Sequence, residues 1–217
     1  MPNPKLGSES LLWKYQERSG DPGFWAEPLN ALTNIVFVIA AVLAWRLSVQ
    51  RNAQALNTRV LILLAATVGL GSFVFHTVPN HLTLWLDIIP ILLFQIGFIW
   101  AFCRRFLSMP AGYVILVLLV VIGSALLLRP MQSMNGSLFY MPPLLTMIVL
   151  GWTWAERSKV EPWTLFAASI CFALAVVARS IDWEVDLGIG THFLWHTMNG
   201  VVVYLSLRTI VLAESSD

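Results

Sequence analysis

The feature that most constrains this chain is a succession of apolar runs, each about as long as a bilayer is thick. A hydrocarbon core about 30 Å thick needs roughly 20 helical residues to cross it. Seven stretches of the 217-residue sequence qualify, at 30–49, 59–76, 82–104, 112–128, 138–155, 162–179 and 190–211. The connections are short and carry turn or breaker residues: Pro79-Asn80, Pro110-Ala111-Gly112, Arg129-Pro130, Asn135-Gly136, and Asp186 through Gly190. Pro142-Pro143 inside the fifth stretch predicts a kink or a delayed helix start. With 58% apolar and only 12% charged residues, the chain carries more apolar surface than one soluble core of this size buries, so lipid must cover the rest. The expected fold is all-α, a polytopic membrane protein built as one seven-transmembrane-helix bundle, without solenoid repeats.

Charge narrows the options further. A net charge of +1 provides no basic field, so no nucleic-acid partner is expected. Cys103 and Cys171 both fall in apolar runs and read as small packing residues, not as a disulfide. Polar residues fill 1–27, which predicts no cleavable signal and a first span that serves as its own targeting signal. Arg46, Arg51, Arg59, Arg104, Arg105, Arg157, Lys159 and Arg208 gather at the odd-numbered connections and the C-terminal end. Lys5, Lys14, Arg18, Arg129 and Arg179 fall on the other side, together with most of the acids (Glu9, Glu17, Asp21, Glu27, Asp87, Asp182, Glu184 and Asp186). The positive-inside rule then places the N-terminus outside or lumenal and the C-terminus in the cytoplasm. The short loops and compact length lean toward a bacterial inner membrane.

Ionisable side chains within membrane spans are expensive, so each one marks a candidate site. His192 and His196 stand i, i+4 in His192-Phe193-Leu194-Trp195-His196, which stacks two imidazoles on one helical face. His76 ends the second span, with Ser72 one turn earlier on the same face, and Asp87 lies one to two turns into the third. The predicted topology brings all five to one depth. Three histidines with an open fourth position form the ligand set of a catalytic zinc site. The bland alternatives are a hydrogen-bonded surface pair for His192 and His196, a helix cap for His76, and a paired buried acid for Asp87. His81 reads as a solvated residue, and the ten tryptophans, Trp85, Trp183 and Trp195 among them, read mostly as interfacial anchors.

At these residues the chain resembles the alkaline ceramidase family, among the seven-span hydrolases that include the adiponectin receptors. The matching segments are Gly71-Ser72-Phe73-Val74-Phe75-His76-Thr77, Leu86-Asp87-Ile88-Ile89-Pro90-Ile91 and His192-Phe193-Leu194-Trp195-His196, with Trp25-Ala26-Glu27-Pro28-Leu29-Asn30-Ala31-Leu32-Thr33-Asn34 resembling the start of the first span. The resemblance implies zinc held by His76, His192 and His196, with Ser72 and Asp87 beside it as catalytic residues. It implies a polar N-terminal extracytoplasmic segment at 1–29 and a transmembrane catalytic domain at 30–213. It also implies a calcium site ahead of the first span. There Glu17 and Glu27 match, but Lys14 stands where an aspartate is expected and Ser19 where an asparagine is, with Asp21 as a substitute. A calcium site and a solvated acidic segment both remain open.

The implied activity is zinc-dependent hydrolysis of the N-acyl bond of a ceramide-like membrane lipid. Zinc would activate water, Ser72 would stabilise the oxyanion, and Asp87 would shuttle the proton to the leaving amine. Competing readings are a zinc hydrolase of another acylated lipid and a non-enzymatic seven-span receptor or lipid-binding bundle whose histidines sense pH. A transporter fits worse, since no internal repeat is visible.

Overall fold

The computed structural model describes residues 8–131, 133–185 and 188–215, without the side chains of 8 and 9. Lys5 and Asp186, which entered the charge reading, lie outside these residues, as does the side chain of Glu9. A short α1 (Ser8–Leu12) leads into an irregular segment, and α2 (Pro28–Thr33) follows. The long helices are α3 (Ile35–Gln50), α4 (Leu56–Thr77), α5 (His81–Ala101), α6 (Ala111–Leu128), α7 (Met141–Arg157), α8 (Thr164–Ser180) and α9 (His192–Glu214). The described residues contain no strand.

Local chemistry sets the helix boundaries. Asn80 and Thr83 form a reciprocal capping box at the start of α5, each side chain bonding the other's backbone N–H. Pro142 and Pro143 lie in the first turn of α7, where backbone N–H groups have no helical partner to lose, so the α-helix starts at Met141, later than the expected 138 and after a 3-10 turn at Ser137–Tyr140. The first expected span divides at Asn34, whose side chain turns back to donate to the Asn30 carbonyl at 2.8 Å. A π-helical turn, Phe102–Phe106, follows α5. Cys103 and Cys171 are free.

Sequential helices pack side by side, and α9 returns to lie against α3, α4 and α8, closing the bundle. Its core runs through Phe37, Leu61, Phe98, Phe102, Trp154, Leu165, Leu207 and Ile210. Outward-facing side chains are just as apolar: Leu63, Leu70, Leu119, Leu127, Val149 and Ile170 are each more than 60% exposed. Helix α6 buries only Val114, Val121 and Ala125, one narrow stripe. Such a surface suits hydrocarbon rather than water. Five helical segments are long and apolar enough to cross a membrane: Pro28–Gln50, Leu56–Thr77, His81–Phe106, Ala111–Leu128 and Ser137–Arg157. Helix α8 is apolar but 17 residues long, and α9 is 23 residues long but carries two histidines, Asn199, Arg208 and Glu214.

The interfacial reading fails for Trp195. It is 8% exposed and packs on Phe172 and Tyr140, because it lies on the face of α9 turned toward α8. Trp154 is likewise buried in the core, whereas Trp85 is exposed as expected. His81 is exposed at the start of α5.

Candidate metal centre

The three histidines meet because two helices end in the same place. His76 occupies the last turn of α4 and His192 the first turn of α9. The start of α9 is held by Asp182, whose Oδ1 accepts from the backbone N–H groups of Thr191 at 2.7 Å and His192 at 2.9 Å. A carboxylate at that end also opposes the positive pole of the helix. Its Oδ2 accepts from the backbone N–H of Gln16 at 3.0 Å, tying the N-terminal segment to the same point. Gly190 precedes this turn with φ +64°, and a Cβ there would collide with the Asp182 carboxylate.

Centroid separations are 4.7 Å for His76–His196, 4.7 Å for His192–His196 and 5.3 Å for His76–His192. One ring nitrogen from each lies within 4.8 Å of the others, and all three residues are buried. The outer faces of two rings are already engaged. Nδ1 of His76 lies 2.6 Å from Glu27 Oε2, and Nδ1 of His196 lies 3.2 Å from Thr33 Oγ1. His76 Nε2 and His192 Nδ1 are buried without a hydrogen-bond partner among the described residues. Leaving such atoms unpaired costs about 1–3 kcal/mol each. A cation bound between the rings would remove that cost, so the donor set fits a zinc ion.

Glu27 is the hub outside the rings. Its Oε1 accepts from Arg18 Nε at 2.6 Å, and its Oε2 also accepts from Asn30 Nδ2 at 2.9 Å. Burial works to raise the Glu27 pKa, yet hydrogen bonds from His76, Asn30 and Arg18 leave it below the ordinary 4.5. An ionised carboxylate on the far nitrogen of a metal-binding histidine fixes its tautomer and ring orientation. Tyr15 closes the other side, stacked on His192 at 3.8 Å, and burial pushes its pKa up.

Ser72 and Asp87 flank a close crossing of α4 and α5 at Gly71 and Leu86. A Cβ on Gly71 would collide with the Leu86 carbonyl and lie 3.4 Å from the Asp87 nitrogen, so α4 and α5 nearly touch beside the site. Ser72 is 2% exposed and Asp87 9%. The Asp87 charge acts on Lys14 and Tyr15. Lys14, over the Phe75 ring at 5.0 Å, has its pKa lowered to about 8 by burial, against the pull of Asp87.

The sequence reading missed Thr33, Tyr15 and Asp182, and it assigned Glu27 to a separate calcium site. Thr33 and Glu27 lie inside the quoted 25–34 segment, so that segment was a signal for a role beside the histidines. Nothing in spacing marks Tyr15 or Asp182.

No curated protein matches the chain. A family model described as ceramidase matches residues 23–187, about three quarters of the chain, including Glu27, Thr33, Ser72, His76 and Asp87 and ending ahead of His192. On that match, the chain belongs to the ceramidase family.

Proposed function

We propose that the protein is a zinc-dependent intramembrane amidase that cleaves the N-acyl bond of ceramide-like lipids, releasing a fatty acid and a sphingoid base. Family membership supports ceramide hydrolysis in general. The observation that carries the zinc reading is the pair of unpartnered buried nitrogens, His76 Nε2 and His192 Nδ1, beside the His196 ring.

His76, His192 and His196 hold the ion, with Glu27 and Thr33 orienting two of the rings. Zinc, when bound, supplies a Lewis acid and makes a water acidic enough to attack near neutral pH. Asp87 takes a proton from the attacking water and delivers it to the amide nitrogen, which leaves only once protonated. Ser72 donates its hydroxyl to the carbonyl oxygen as charge develops there. The seven long helices cross the membrane, with the 1–29 segment on the outer or lumenal side and the C-terminus in the cytoplasm.

The test is fatty-acid release by the purified, zinc-supplemented protein. It is offered an N-acyl sphingoid base, an N-acyl ethanolamine and a diacylglycerol in mixed micelles. Preferred cleavage of the N-acyl sphingoid base is expected. Turnover confined to the ester would overturn the amidase assignment, and no turnover by a folded, zinc-loaded protein would overturn the hydrolase.

A further inference from the structure

Arg18 is a buried cation that the proposed chemistry does not use. It is 2% exposed, and each of its three nitrogens donates to oxygen. Nε donates to Glu27 Oε1 at 2.6 Å, Nη1 to the carbonyls of Asp21 at 2.8 Å and Gly23 at 3.0 Å, and Nη2 to the His76 carbonyl at 2.7 Å. Four oxygens from the N-terminal segment and the end of α4 thus converge on one positive charge. One is a carboxylate and three are main-chain carbonyls, the donor chemistry by which a hard divalent cation is usually held.

Among the described side chains, Glu17 and Asp21 also hold backbone partners. Both Glu17 oxygens accept backbone N–H groups, from Leu29 at 2.8 Å and Asn30 at 2.9 Å. Asp21 Oδ1 accepts from Gly23 N at 2.7 Å. Glu27 Oε2 is taken by His76 and Asn30. Lys14, in place of the expected aspartate, puts its ammonium over the Phe75 and Tyr15 rings. A calcium ion needs six to eight oxygens and would have to evict the guanidinium to reach those at its centre. The residues therefore do not fit calcium.

We infer that Arg18 is the built-in cation of the N-terminal segment, supplying a single positive charge and oxygen contacts of the kind a divalent ion would make, and docking the segment on the His76 helix independently of calcium. The planar fork suits this task, because it serves carboxylate and carbonyls at once, where an ammonium is a point charge. Arg18 is on this account a positioning residue: it fixes the Glu27 carboxylate that holds His76 and grips the His76 backbone directly. The inference concerns how the segment is anchored and stands whatever lipid is cleaved.

Thermal melting of the full-length protein in detergent, with zinc constant, tests it. The wild-type melting temperature stays put as calcium is raised to millimolar levels. Arg18→Ala lowers it by about 5–10 °C, as loss of one partner from a buried charge pair implies, and Arg18→Lys falls between. Methylguanidinium at about 10 mM restores part of the Arg18→Ala loss, whereas methylammonium does not. A saturable rise of the wild-type melting temperature with calcium overturns the inference, and it is readable even if Arg18→Ala fails to fold. A folded Arg18→Ala protein that melts like wild type, or that both cations rescue equally, overturns it too.

Discussion

The two ends of the bundle each hold a polar network, but only at one of them do deeply buried imidazoles stand without partners. At the end opposite the histidines, Glu214 on α9 accepts from the Ala55 backbone at 2.6 Å and from the Thr58 hydroxyl, and it forms an ion pair with Arg105 at 2.9 Å. Nearby, Arg208 grips both oxygens of Glu161, whose backbone carbonyl accepts from Trp154 Nε1 at 3.0 Å. Every charge in that network meets a counter-charge. At the histidine end Glu27, Arg18 and Asp182 are hydrogen-bonded, yet His76 Nε2 and His192 Nδ1 have no hydrogen-bond partner among the described residues. A network of paired charges stitches helices together, whereas a deeply buried one with unpaired ring nitrogens keeps capacity for a ligand. At 1.5 Å per residue, the 18 residues from His196 to Glu214 separate the two ends by about 27 Å, close to the thickness of a hydrocarbon core.

Substitutions that act at one end only would sharpen this contrast. The largest effect is expected for Asp87→Asn, which removes the proton shuttle and keeps the shape. Fatty-acid release should fall about 10²–10⁴-fold with zinc content unchanged, and an unaltered rate would remove Asp87 from the chemistry. Glu27→Gln comes next. It should weaken zinc binding about 10–100-fold, measured by competition with a chromogenic chelator; wild-type affinity would mean that Glu27 serves the fold alone.

The other end should answer in stability, not in chemistry. Glu214→Ala removes the acceptor of the Ala55 backbone and the Thr58 hydroxyl at the start of α4, costing about 1–3 kcal/mol in denaturant unfolding while the zinc-normalised rate holds. A parallel loss of zinc would break the proposed division between the ends. The smallest effect concerns Glu161, which hydrogen bonds from Arg208 hold below its ordinary 4.5. A lowered carboxyl pKa stabilises the fold above the ordinary value, and that stability is lost as pH falls through the lowered one. The pair is more than a third exposed on the glutamate side, so no more than about 1 kcal/mol is at stake after screening. Melting of wild type and Glu161→Gln should converge as pH falls through that lowered value, and a constant gap would show the ion pair to be inert.

Helix existence was readable in the sequence because lipid exposure demands long apolar runs. Helix α6, expected at 112–128, forms at Ala111–Leu128 because Pro110 gives it a defined start. The break at Asn34 and the π turn after α5 left no breaker residue to read. At the site, the i, i+4 spacing of His192 and His196 and the shared depth of His76 were visible, since helical period and topology fix both. Their hydrogen-bonding partners were not. Glu27 reaches His76 across 49 positions and Thr33 reaches His196 across 163. Such pairings follow from how helices lean together, and periodicity within one helix says nothing about it. Arg18 was counted only as a charge on one side of the membrane, because burial cannot be read from an irregular polar segment.

The account rests on an ion held where the two helix ends meet, and zinc stoichiometry measures that directly. Metal analysis of purified wild type should give about one zinc per chain. His196→Ala should give close to none, with helix content and melting preserved, and no amide hydrolysis. A natively folded wild type that stays metal-free in excess zinc, or a His196→Ala protein that keeps its full complement, would contradict it.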